Sequence, residues 1–176
     1  MCSLEQFKID LKGLTEDVTP LQWHIDGQFL SQLEGAQLQQ ADVHVSGAIR
    51  KSTGFFELML HAEGTVQVPC DRCLEPMSQP VEADQRVVVK LGTEDTCDDD
   101  VITVDEAKAL LDVSWLIYET IALAVPIRHV HQPGDCNDAM SEKLKELSAA
   151  RSSDADANEG IDPRWAALKD LISPLS

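Results

Sequence analysis

A run of apolar–polar alternation in the first half constrains this chain most. Val43, Val45 and Ile49 share one face of an extended segment, and Gly47 keeps the same period. Lys51-Ser52-Thr53-Gly54 has the composition of a hairpin loop. Phe56, Leu58 and Leu60 then form the answering strand face. Ala62-Glu63-Gly64 reads as a second tight turn, followed by a strand at Thr65-Val66-Gln67-Val68. Neighbouring strands joined by short turns make an antiparallel β-meander, one face of which must be buried.

The flanking segments supply the rest of an α+β domain. Phe7–Leu11 and Leu21–Ile25 alternate as strands, with a turn-like stretch at Thr15–Pro20 between them. Residues 27–33 suit a short helix with Phe29, Leu30 and Leu33 on one side. Val81–Leu91 and Val101–Val104 read as further strands, separated by an acidic loop with Glu94, Asp95, Asp98, Asp99 and Asp100. Residues 112–124 carry the clearest helical period: Val113, Leu116, Ile117, Thr120 and Ala124, widened by Trp115, Ile121 and Leu123. Asp112 is placed to cap its start, and Pro126 stops it by disfavouring helical backbone at Val125. This helix is expected to lie across the sheet and close its core. Another helix is expected over 138–147.

Residues 148–161 are small, polar and acidic, with no apolar anchor in 148–160. They are expected to form a flexible linker, because they cannot bury enough surface to offset chain entropy. A short helix is expected within 162–176, from the N-cap Asp162, Pro163 in the first turn, and a stripe of Trp165, Leu168 and Ile172. The organisation is thus a domain at 1–147, a linker, and a mobile helical extension.

Chemistry concentrates at Cys70-Asp71-Arg72-Cys73, between the Thr65–Val68 strand and Pro76. Such a pair holds half a zinc site, acts as a redox dithiol, or simply turns the chain. The other half of a zinc site lies in Arg128-His129-Val130-His131-Gln132-Pro133-Gly134-Asp135-Cys136, which offers His129, His131 and Cys136. Cys70, Cys73, His131 and Cys136 would form a closed tetrahedral set. A redox role fits less well, since redox pairs of this spacing open a helix whose N-terminus lowers a thiol pKa. Cys2 and Cys97 have no neighbouring ligand.

Elsewhere the chain offers no active site. The acidic loop lacks calcium-loop spacing. Glu119 stands alone within the apolar helix, as a buried ion-pair member or a boundary residue. His24, His44 and His61 fall on strands without ligand or triad spacing and read as surface residues. Phosphate-loop, nucleophile-elbow and dinucleotide motifs are missing.

Five cysteines, an odd number, argue against a disulfide scaffold. With no run apolar enough for a membrane span and no leader pattern at Met1–Gln6, the cytoplasm is the expected compartment. The net charge is −17. The first 88 residues carry 6 basic and 13 acidic side chains and the remainder 8 and 18, so neither half is basic. Phosphate-led nucleic-acid binding is disfavoured, and a basic protein is the natural complement. The stripe of Trp165, Leu168 and Ile172 on a flexible tether suits insertion into a partner's groove.

Several of these pieces together resemble the bacterial YceD family of large ribosomal RNA subunit accumulation proteins. The matching parts are Gly64-Thr65-Val66-Gln67-Val68-Pro69, Cys70-Asp71-Arg72-Cys73-Leu74-Glu75, the acidic loop before Ile102, and Ile117–Pro126. The His131-to-Cys136 segment and Asp162-Pro163-Arg164-Trp165-Ala166-Ala167-Leu168 complete the pattern. The resemblance implies a part in ribosome assembly and no established catalytic activity. It also implies a metal site, because many relatives carry a cysteine-rich stretch after the helix. This chain departs from them in having only Cys136 there, beside His129 and His131. The alternative is a small zinc-binding or redox-responsive protein built on Cys70 and Cys73.

Overall fold

The computed structural model describes residues 4–92 and 101–147. It is an α+β fold around a five-stranded sheet of order β2-β3-β4-β5-β6. The strands are β2 (Val18–Asp26), β3 (Ala41–Ser52), β4 (Phe55–Pro69), β5 (Pro76–Leu91) and β6 (Val101–Val104). From β2 to β5 all pairings are antiparallel, as the meander predicts; β6 lies parallel to β5. A single 3-10 turn (Leu4–Phe7) leads into β1 (Lys8–Asp10), which pairs with β7 (Leu110–Asp112) as a separate two-stranded ribbon. The helices are α1 (Gly27–Leu30), α2 (Ser114–Ala124) and α3 (Asp138–Leu147).

The β3–β4 turn is a two-residue hairpin, Thr53-Gly54, with Ser52 facing Phe55 across the ladder and Gly54 at φ +88°. That conformation is open to glycine at no steric cost. The tight turn expected at Ala62-Glu63-Gly64 does not form. β4 runs through it without a break, and Ala62, Val66 and Val68 stay buried in the same period as Phe56, Leu58 and Leu60. Gly64 serves a different purpose: a Cβ there would lie 2.2 Å from the Asp42 carbonyl oxygen of β3. A glycine inside a strand marks close backbone approach as readily as a bend. The third strand of the meander is therefore β5, which begins at Pro76, ahead of the expected Val81.

One face of the sheet is buried. Ile25, Val43, Val45, Ile49, Leu58, Leu60, Val66, Val87 and Val89 join Phe7, Leu11, Leu111, Val113, Ile117 and Ile121 in a single core. Helix α2 packs on β4 and β5. Its start differs from expectation. Asp112 ends β7 and Val113 occupies the cap position, while the Asp112 carboxylate accepts from the Ser114 backbone N–H at 2.9 Å and its hydroxyl at 2.6 Å. Thr120, buried on the same helix, donates to the Leu116 carbonyl at 2.8 Å. Trp115 and Leu123 do not join the core; they are 48% and 78% exposed. Glu119 is exposed too, which settles it as a boundary residue. Val125 is extended, as Pro126 requires.

Helix α3 spans the expected residues and contains none that is buried. All of it but Asp138 falls in a second compact unit beginning at Ala139. The expected linker at 148–161, the helical extension at 162–176 and the acidic loop's Glu94, Asp95 and Asp98–Asp100 lie outside the described residues.

Candidate metal centre

Pro69 and Pro76 face each other at the last rung of the β4–β5 ladder, and Cys70–Glu75 form the hairpin tip beyond them. The tip is closed by two backbone bonds: Cys70 N–H donates to Glu75 O at 2.8 Å, and Leu74 N–H to Cys70 O at 2.9 Å. Leu74 takes φ 63°, a left-handed conformation unusual for a bulky residue. In this turn Cys70 and Cys73 are buried, 0% and 4% exposed, while Leu74 is left in solvent. Strain of this kind persists only where surrounding structure imposes it.

The segment after α2 is held against the tip by two polar clasps. In the first, Asp71 N–H donates to the His129 carbonyl at 2.9 Å and His129 N–H returns to Asp71 Oδ2 at 2.8 Å. The His129 ring turns Nδ1 to the Pro126 carbonyl at 3.0 Å and Nε2 towards Asp71 Oδ1 at 3.5 Å. His129, a ligand candidate by sequence, is thus a clasp residue. In the second, Asn137 Nδ2 donates to Glu75 Oε1 at 2.7 Å.

Between the clasps His131 and Cys136 reach the thiols. Cys73 Sγ lies 3.3 Å from His131 Nδ1, Cys70 Sγ 4.0 Å from Cys136 Sγ, and Cys136 Sγ 4.0 Å from His131 Nδ1. All four donor atoms fall within 4.8 Å of one another. A tetrahedral zinc ion with Zn–S bonds of ~2.3 Å holds its donors ~3.8 Å apart. The spacing and the three-sulfur, one-nitrogen donor set therefore fit zinc without backbone rearrangement. Soft thiolates also select zinc over calcium or magnesium.

The electrostatics point the same way. Burial opposes ionisation of Cys70, but backbone N–H groups of Cys73, His131 and Arg72 outweigh it and bring the thiol down to about 6. Cys73 is also lowered, first by the Asn137 backbone N–H. Cys136 is pushed up to about 11 by burial and then by Cys73 and Cys70 beside it. Burial works against a charged His131, yet Cys73 and Cys70 raise its pKa. Three packed thiols cannot all ionise alone; a dication removes that conflict.

The dithiol sits at a hairpin tip and not at a helix N-terminus, the setting typical of redox pairs. Asp71, Glu75 and Asn137 were not legible as clasp residues. Asp71 lies between the two cysteines and Glu75 just after them, but nothing in the sequence marks Asn137 as a partner. Cys2, Cys97, Trp165, Leu168 and Ile172 lie outside the described residues. His24, His44 and His61 stand on the solvent side of the sheet, as expected. Among the described residues no helix is long and apolar enough to cross a membrane.

A family model described as "Large ribosomal RNA subunit accumulation protein YceD" matches residues 58–172. The match takes in most of β4, the hairpin tip, α2 and the segment carrying His131 and Cys136. No curated protein and no solved structure matches the chain.

Proposed function

Because the chain belongs to the YceD family, we propose that it is a non-enzymatic, cytoplasmic ribosome-biogenesis factor supporting accumulation of large-subunit ribosomal RNA. The observation that carries this reading is the family match over 58–172, which spans the whole Cys/His cluster. In the proposal Cys70, Cys73 and Cys136 hold a structural zinc ion through Sγ and His131 holds it through Nδ1. The metal locks the β4–β5 tip to the segment after α2. The protein works by binding, and its partner is a basic ribosomal or assembly protein, because a net charge of −17 complements a basic surface and repels bare RNA. Trp165, Leu168 and Ile172 supply the apolar contact, with Trp165 as anchor.

The test is capture from lysate at two salt concentrations, with protein and RNA both identified. A ribosomal precursor or basic assembly protein, captured more slowly as salt rises, is the expected result. Trp165→Ala should weaken that capture by more than ~1 kcal/mol. Tight, salt-resistant binding to naked ribosomal RNA would sink the protein-partner reading. Elemental analysis tests the metal independently: one zinc per chain is expected, lost in Cys73→Ser.

A second reading has one observation in its favour. Cys70 Sγ and Cys136 Sγ are 4.0 Å apart, and the Cys70 thiol is lowered to about 6. A zinc-free protein that loses two hydrogens on mild oxidation, with Cys70 and Cys136 linked, would make the cluster a redox sensor.

A further inference from the structure

The solvent face of the sheet carries a second constellation, far from catalytic spacing in sequence but assembled by strand register. His24 on β2 stands directly opposite His44 on β3, and Asp42 lies two residues before His44 on the same face. Directly opposed side chains of an antiparallel pair have Cβ atoms ~5 Å apart, so the β2–β3 register brings the two imidazoles and the carboxylate together. His24 Nε2 is 2.8 Å from Asp42 Oδ1, and the His24 and His44 rings are 4.8 Å apart, centre to centre. One donor atom from each of the three falls within 4.8 Å of the other two.

We propose that His24, Asp42 and His44 form a binding site for a late first-row transition-metal dication, separate from the Cys/His cluster. Two imidazoles and one carboxylate are a nitrogen-rich donor set that favours nickel, copper or zinc over magnesium or calcium. Metal bonds of ~2.1 Å place neighbouring donors ~3.0–3.4 Å apart. Side-chain rotation alone closes the present spacing to that range, because the ladder already fixes the backbones. All three residues are exposed, so coordination positions remain for water or for a ligand atom from another molecule. The surroundings favour a cation. Glu63 stands opposite His44 on β4 and Glu82 opposite Glu63 on β5, on a chain with a net charge of −17. Asp26, opposite Asp42, is engaged elsewhere, accepting from the Phe29 N–H at 2.9 Å as the cap of α1.

The experiment uses the full chain without an affinity tag, first loaded with one equivalent of zinc, which the three-thiol cluster takes up ahead of the exposed histidines, then freed of unbound zinc and titrated with nickel chloride. Paramagnetic nickel broadens amide signals near where it binds. The expected result is broadening centred on residues 23–25 and 42–45, saturating near one equivalent. His24→Ala and His44→Ala should each weaken binding by about tenfold or more, as even the supports of metal ligands are worth ~10–100-fold. His61→Ala, on the same face, should leave it unchanged. The substituted side chains are exposed, and an otherwise unaltered spectrum confirms that each variant folds. Broadening centred on 70–73 and 131–136, or equal affinity in wild type and His44→Ala, overturns the proposal. So does the absence of local broadening at millimolar nickel.

Discussion

Gly64 shows how a single missing side chain can set the spacing of a sheet. A Cβ at this position would press on the Asp42 carbonyl oxygen and on the Val43 Cα at 2.6 Å, both backbone atoms of β3. Neither can move without disturbing the ladder. Gly64→Ala is expected to cost ~1–3 kcal/mol, the range for forcing extra volume into a packed site, measured as a lower urea midpoint. His61 offers a residue-scale test of charge. Its hydrogen bond to Asp84, Nδ1 to Oδ1 at 2.9 Å, raises its pKa above the ordinary 6.5, with Glu82 and Glu63 helping and partial burial opposing. A raised histidine contributes stability that is full below pH 6.5 and fades as pH climbs through the folded-state midpoint. An NMR titration should place that midpoint above 6.5, and Asp84→Asn should move it back. A midpoint unaffected by Asp84→Asn would mean that the bond has no weight in solution.

Helix α2 and the ribbon of β1 and β7 differ in what holds them. The inward face of α2 is wholly buried at Ile117 and Ile121, while its flank leaves Leu123 largely exposed. Ile117→Ala should cost ~2–5 kcal/mol through lost burial and the cavity left behind. Leu123→Ala should stay within ~0.5 kcal/mol, as surface changes do. Equal losses from thermal melts would contradict the burial of Ile117. The long β3–β4–β5 ladders lie in the middle of the sheet, and their amides should exchange slowest with solvent. The ribbon of β1 and β7 has three facing pairs and, among the described residues, no further strand beside it. Its amides should exchange faster, because short ladders open locally at lower cost. Hydrogen-exchange mass spectrometry resolves the two regions.

At the scale of the whole molecule, the sheet and the proposed zinc centre have separable stabilities. The core draws on side chains from β2–β5, α2 and the ribbon, and none of the four metal-ligand candidates belongs to it. Chelation of zinc should therefore free the hairpin tip and residues 127–137 while far-UV circular dichroism keeps its β-sheet character. Restoring zinc at ~100 times its dissociation constant should return ~2.7 kcal/mol. Complete loss of secondary structure on chelation would mean that the metal nucleates the fold instead of pinning one corner.

Much of this architecture was readable from local pattern. Alternation at Val43, Val45, Ile49, Phe56, Leu58 and Leu60 determined strands and their buried face, since a period of two allows only one face per residue. The 3.6-residue period and Pro126 determined α2, and thiol and imidazole chemistry marked Cys70, Cys73, His131 and Cys136 as a possible ligand set. Local pattern misled at Gly64, because its glycine signals a close neighbour that only β3 supplies; the unbroken period through Ala62 and Val66 was the stronger signal. Tertiary structure alone decided the parallel placement of β6, the pairing of β1 with β7, and the meeting of His24 with His44. Each joins segments through register or long-range docking, and a sequence records which faces are apolar but not which backbones come to lie side by side. The same holds for His129: its residue type offered a ligand, and the reach of Asp71 across the fold made it a clasp.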